Sequence, residues 1–264
     1  MRPLHRVRAV ALIAVLALAA CQNQSSALLT DPRAILDAAV ASTIGASSVR
    51  VDLSAEGELV FDPLGIGTGT PIALRDTTAT ADVDLAGGDS RLTFAAPGLL
   101  GLAGELLVVD GTTYLKTSLT GSRYQVMGAT DPVPSGSPAT ASMLAGLTEL
   151  LARPELTPVK GDDVPCGTGD CYTVRIQLTA EELAALGLGD VAVPGGLPIP
   201  IPDLSAASAD LTLRVDQAST RLTGMTADVD LAAAGNVILE VTFTKWDEPV
   251  SVAAPPAEEI QPAS

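Results

Sequence analysis

From Val49 to Phe243 the chain repeatedly alternates apolar and polar positions with a period of two, the pattern of strands with one dry and one wet face. Val49, Val51, Leu53 and Ala55 alternate with Arg50, Asp52, Ser54 and Glu56. Ala79, Ala81, Val83 and Leu85 alternate in the same way with Thr80, Asp82 and Asp84. Leu92 and Phe94 resume the rhythm after Gly87-Gly88-Asp89, a hairpin turn. Leu106 to Val109 and Tyr114 to Thr117 flank Asp110-Gly111, the strongest hairpin signal in the chain. A short strand follows at Arg123 to Met127. Strands return at Leu156 to Lys160 and through Tyr172, Val174, Ile176 and Leu178. Three more close the pattern: Leu211/Leu213/Val215, Leu222 to Leu231, and Val237/Leu239/Val241/Phe243.

Helical spacing interrupts the alternation in three places. Thr30-Asp31-Pro32 starts a helix with a capping residue and a proline near its first position, and Gly45 ends it after Ile44. Ile35, Ala38, Ala39 and Ser42 form its expected sheet-facing side. A second helix over Ala139 to Ala152 carries Met143, Leu144, Leu147, Leu150 and Leu151 on one stripe and stops at Arg153-Pro154. That stripe fits a core-facing helix or one wall of a cavity. Thr179-Ala180-Glu181-Glu182 caps a short third helix ending near Leu186-Gly187. The loop Leu188 to Leu204 is apolar but too rich in proline for helix or interior strand. Strands adjacent in sequence and joined by tight turns pair antiparallel. The expected class is α+β: a large curled antiparallel sheet, a half-barrel, with a few helices on its concave face. Thr80 to Ala86 recurs letter for letter as Thr226 to Ala232. The repeat fits either duplicated halves or similar strands drawn from one biased composition.

The first residues change the setting. Arg2, Arg6 and Arg8 precede the apolar run Ala9 to Leu18, and Leu18-Ala19-Ala20 leads into Cys21. This is a secretory signal over residues 1–20, and the cysteine after Leu-Ala-Ala resembles a bacterial lipobox. Cys21 is then the expected lipidation site, holding the protein to the outer face of the cell membrane. Residues 21–29 form a tether, 30–250 one domain, and 251–264 a Pro-rich acidic tail that is extended or disordered. The 264-residue precursor has net charge −16, and losing three arginines with the signal takes the remainder to −19. Nucleic acid is therefore an unsuitable partner.

Catalytic motifs are missing. The only histidine, His5, lies in the signal, so Ser-His and Cys-His chemistry is excluded from the exported part. No G-x-S-x-G elbow occurs. Gly65-Ile66-Gly67-Thr68-Gly69 lacks the lysine and helix of a phosphate loop. Asp82, Asp84 and Gly87 imitate the start of a calcium loop, but Thr93 stands where a glutamate is needed. Neither a cofactor nor a metal is expected, and the protein reads as a non-enzyme. Cys166-Gly-Thr-Gly-Asp-Cys171 reads as a disulfide: export favours oxidation, and the glycines permit the tight turn.

Taken together, the lipobox, the helix, the strands around Asp110-Gly111-Thr112-Thr113-Tyr114-Leu115-Lys116-Thr117, the Leu-rich midchain helix and the closing Phe243-Thr244-Lys245-Trp246-Asp247-Glu248-Pro249-Val250 resemble the LppX/LprA/LprF/LprG family of actinobacterial lipoproteins. The resemblance spans nearly all of the chain after the signal. It implies a half-barrel of LolA-like type, with helices enclosing a large apolar cavity. It also implies a monomeric, membrane-anchored carrier that binds acylated lipids or glycolipids and moves them toward the outer envelope. The inward positions of the strands and the helical stripe would then line the cavity. In the first half these are Val51, Leu53, Val83, Leu85, Leu92, Phe94 and Leu115. The midchain helix adds Met143, Leu144, Leu147 and Leu151. The last strands add Val174, Ile176, Leu213, Val229, Leu239 and Val241. The competing expectation is a structural or adaptor lipoprotein with a filled core, docking to a membrane sensor or transporter.

Overall fold

The computed structural model of the protein describes residues 28–61, 69–127, 139–185 and 204–261. The signal, Cys21, residues 21–27 of the tether, most of the Gly65–Gly69 run and the proline-rich loop lie outside the described residues.

Among the described residues the alternating segments form one open sheet of thirteen strands, every ladder antiparallel. In chain order the first half supplies α1 (Pro32–Ile44), β1 (Ser48–Phe61), β2 (Thr70–Ala73), β3 (Thr77–Asp84), β4 (Ser90–Ala96), β5 (Leu102–Val109), β6 (Thr112–Thr117) and β7 (Gln125–Met127). The second half supplies α2 (Ala139–Leu151), β8 (Val159–Lys160), β9 (Val164–Cys166), β10 (Gly169–Leu178), α3 (Ala180–Ala185), β11 (Ser208–Asp216), β12 (Leu222–Asp230) and β13 (Gly235–Thr244). Across the sheet the order is β7-β6-β5-β4-β3-β1-β13-β12-β11-β10-β8, with β2 on the far end of β1 and β9 on β10. Two meanders, each introduced by a helix, thus meet where β1 pairs β13 from Arg50–Thr244 to Leu59–Gly235. The repeated heptapeptide falls on β3 and β12, the strands flanking this central pair. This is the α+β half-barrel.

Local sequence explains the joints. Val109 pairs with Thr112 across Asp110 (φ 51°) and Gly111 (φ 74°), the two left-handed residues that a type I′ hairpin requires. Asp31 is extended and accepts the Arg33 amide at 3.2 Å, with Pro32 in the first turn of α1. The buried side of α1 is Ile35, Leu36, Ala39 and Thr43, rotated from the expected Ile35, Ala38, Ala39 and Ser42. Leu36 removes more apolar surface from water than Ala38 can, so the helix turns to bury it. The Arg33 guanidinium then reaches the carbonyls of Arg153 (2.6 Å) and Ala152 (2.9 Å), capping the negative end of α2.

The C-terminal segment is not loose as far as Gln261. Asp247 donates its amide to the Ser48 carbonyl, and the Ser48 hydroxyl donates to the Glu248 carbonyl. At the far edge Tyr124 donates its amide to the Glu259 carbonyl at 2.8 Å, and Gln261 donates back to the Tyr124 carbonyl at 2.8 Å. The segment therefore crosses from β1 to the β7 edge and closes it with a parallel bridge, Tyr124–Ile260. Leu107 stands on the outer face of β5 between those anchor points and is only 1% exposed.

Candidate functional site: the apolar inner face

The register collects the expected positions on one face. Leu53 pairs with Val241, Val241 with Met225, Met225 with Leu213, and Leu213 with Val174, a single row across five strands. A parallel row runs from Leu115 through Leu106, Leu92 and Ala81 to Val51 and Phe243. Period-two geometry alone places these side chains together.

Their surroundings differ along the rows. Leu213 and Val174 are 0% exposed, Ile176, Val241, Val83, Leu115 and Leu151 are 1%, and Val51 is 5%. These positions are packed shut. Leu53, Leu85, Leu92, Phe94, Leu147, Val229 and Leu239 share the same inner side yet keep partial access to solvent. Helices cover one wing, and on the central strands shut and open positions alternate along each strand, Val51 beside Leu53 on β1 and Val241 beside Leu239 on β13. α1 packs on β10, and α3 packs on β10 and β11, so that wing is sealed. On the central strands α2 touches β3. A strip of half-open aliphatic side chains remains along β12, β13, β1, β3 and β4. Within it the Phe94 ring lies over Gly104, where an added Cβ would meet the ring at 2.7 Å. Met143 and Leu144 belong to α2, but their side chains are not among those described.

The expected lining leaves out Met225 and Leu59, which are half-buried beside this strip, and Ala79, which the alternation already places on the dry face. Met225 sits two residues before Ala227 and Val229, so the same alternation reaches it. The neighbouring Gly224 and Thr226 hide the rhythm.

On the opposite face the acids of the calcium-like run and Glu105 are engaged by neighbouring groups. Arg50 grips Asp82 through two hydrogen bonds, Nε at 2.7 Å and Nη2 at 2.6 Å. The Arg50 hydrogen bond holds the Asp82 carboxyl below its ordinary pKa against the opposing effect of burial. Asp84 accepts the amides of Ala86 and Gly87 and shapes the turn. The run that imitates a calcium loop is thus engaged in an ion pair and a turn. Burial pushes the Glu105 carboxyl up, but the Tyr124 hydroxyl, Arg91 and Lys116 outweigh it, and its pKa ends below the ordinary value. Among the described residues no three His, Cys, Asp or Glu side chains are grouped to hold a metal ion. Cys166 and Cys171 are bonded, with Cα atoms 5.7 Å apart across the β9–β10 turn. Among the described residues no helix is long and apolar enough to cross a membrane.

Solved structures carry the same architecture. LprF from Mycobacterium bovis superposes with a TM-score of 0.54 at 19% identity, covering 86% of this chain and 98% of that one. The Mycobacterium tuberculosis lipoprotein LppX superposes with a TM-score of 0.50 at 15% identity, covering 85% of this chain and all of that one. The half-barrel is therefore the fold of LprF and LppX. No protein-family model matches the sequence, and no curated protein matches it.

Proposed function

We propose that the chain is an extracytoplasmic carrier, lipid-anchored through Cys21 to the outer face of the cell membrane, that holds acylated lipids or glycolipids against the inner face of its half-barrel. The observation that carries this reading is the strip of inward, partly open aliphatic side chains on a sheet whose neighbouring wing is packed shut. A merely structural sheet gains by sealing such surface, because each buried methylene is worth about 0.8 kcal/mol. A 16-carbon acyl chain laid along the strip offers on the order of 12 kcal/mol before ordering costs, enough for firm retention. No reacting group is needed for that task. The exported chain's lack of histidine and the pairing of its outer-face acids support binding rather than catalysis. The fold shared with LprF and LppX supports the same role, and the disulfide suits an oxidising compartment outside the cytoplasm. Carriage would then run from the cell membrane toward the outer envelope, the direction the family resemblance implies.

The test is native mass spectrometry of the chain carrying Cys21→Ser, purified without detergent from its own host. The variant should leave the membrane fraction and carry lipid masses at defined stoichiometry. A variant that is released, folded and free of bound lipid would remove the carrier reading.

A further inference from the structure

The most exposed large apolar residue described is Leu100, at 92%, in the turn Pro97-Gly98-Leu99-Leu100-Gly101 between β4 and β5. Its backbone lies in the left-handed region, φ 56°, which residues other than Gly, Asn and Asp adopt rarely. A leucine held in an uncommon conformation, with its side chain in water, is unfavourable in isolation on both counts. Beside it stands the β6–β7 turn, tied on by the Ser118 hydroxyl, which donates to the Gly101 carbonyl at 3.1 Å. That turn displays Leu119, 52% exposed, and is followed by exposed Arg123. The crossing C-terminal segment steadies it, since Gln261 donates to the Thr120 carbonyl at 3.4 Å.

Residues 97–101 and 118–121 contain no acid in a chain of net charge −16. The rest of the Leu100 rim carries Arg75, Asp76 and Asp230, and the opposite rim is the more acidic of the two. Its turns carry Asp84, Asp89, Asp110, Asp216 and Asp247, and two of them are joined where Asp110 donates its amide to the Asp89 carboxylate. The buried Ala96–Leu102 pair, 5% and 8% exposed, lies between Leu99 and half-open Phe94 and Leu92 on the inner strip.

We infer that these paired turns are the edge by which the protein docks on a phospholipid surface, with Leu100 and Leu119 entering the acyl layer and Arg123 facing headgroup phosphates. The inference rests on the carrier reading: docking at this rim places the bilayer at the end of β4, two residues from half-open Phe94 on the strip. The more acidic rim points away from anionic headgroups and sets the orientation.

The test uses the full chain with Cys21→Ser and a polarity-sensitive dye on Leu100→Cys, or on Ala218→Cys in the opposite rim. With vesicles of phosphatidylcholine and phosphatidylglycerol, the dye at 100 should shift to the blue and the dye at 218 should not. Leu100→Asn with Leu119→Ser, the asparagine chosen because it accepts the left-handed backbone, should slow uptake of a fluorescent fatty acid from vesicles about tenfold. Binding of the same fatty acid in vesicle-free solution should be unchanged in that double variant. No shift at 100, or equal shifts at both sites, overturns the docking edge. A vesicle-independent dimer abolished by the double variant also overturns it, by assigning the tip to a second copy of the chain. If the parent chain binds no fatty acid in solution, the carrier reading fails, while the dye at 100 still decides docking.

Discussion

Tryptophan placed at Leu53 and at Leu213 tests whether the inner face is partly open. Both residues belong to one row, linked through Val241 and Met225, and both point to the same side of the sheet. Leu213 is 0% exposed within the sealed wing, whereas Leu53 is half-buried in the central strip. At Leu213 the larger ring has no room, and overpacking costs about 1–3 kcal/mol. For a chain of this size that lowers the melting temperature by roughly 2–12 °C. At Leu53 the ring moves into space the fold leaves unfilled, so the melting temperature should stay within about 2 °C. The same ring takes space equal to about three methylenes of cargo, some 2–3 kcal/mol, and weakens lipid binding about fiftyfold. Thermal melts and titration with a fluorescent fatty acid read the two effects on the same samples. Equal destabilisation by both variants, with lipid affinity unchanged by Leu53→Trp, would show a filled core and refute the argument.

Three further outcomes are expected. Replacing Cys166 and Cys171 by serine should cost about 2 kcal/mol in urea unfolding without changing the fold, because the closed loop is short; intact mass with and without reductant checks that the bond is present. Asp247 accepts hydrogen bonds from the Ser47 backbone and pairs with Arg221, which lowers its pKa from 3.8 to about 2. A depressed folded pKa stabilises above the unfolded value and is lost as pH falls from about 4 toward 2, so Asp247→Asn should flatten the acid limb of the urea midpoint over that window. Ending the chain at Pro256 removes the Glu259 and Gln261 bonds to Tyr124, and amide exchange at Gln125 to Met127 should rise about tenfold or more while β10 and β11 stay protected.

The shut and half-open positions of the inner face could not be separated in the sequence. Val174 and Leu239 carry the same alternation, yet one is fully buried and the other half-open. What separates them is the path of α1 and α3 over β10 and β11, and that path depends on contacts between segments far apart in the chain. The C-terminal crossing was hidden for a related reason. Its far end is fixed by the backbone of Tyr124, and backbone hydrogen bonds leave no mark on residue type; the side-chain bonds of Ser48, Asp247 and Gln261 join residues too distant in the chain to be matched by pattern. The buried side of α1 was misplaced by a fraction of a turn, because helical spacing constrains a stripe without saying which edge of it meets the sheet.

The sequence by itself determined what is local. Alternation in a strand is a steric property of the extended backbone, so Val51, Leu53, Val83, Leu92, Leu213 and Val241 were bound to share a face once they formed strands in register. Asp110-Gly111 specified its hairpin through the two left-handed residues that turn demands, and Asp31-Pro32 specified where α1 starts. Only the tertiary structure decided that the last strand closes on the first, which inward positions are shut and which stay half-open, and that Leu100 and Leu119 stand side by side on one rim. Those outcomes depend on pairing and cover between distant segments, whose free energy is set by the whole assembly and by no single stretch of residues.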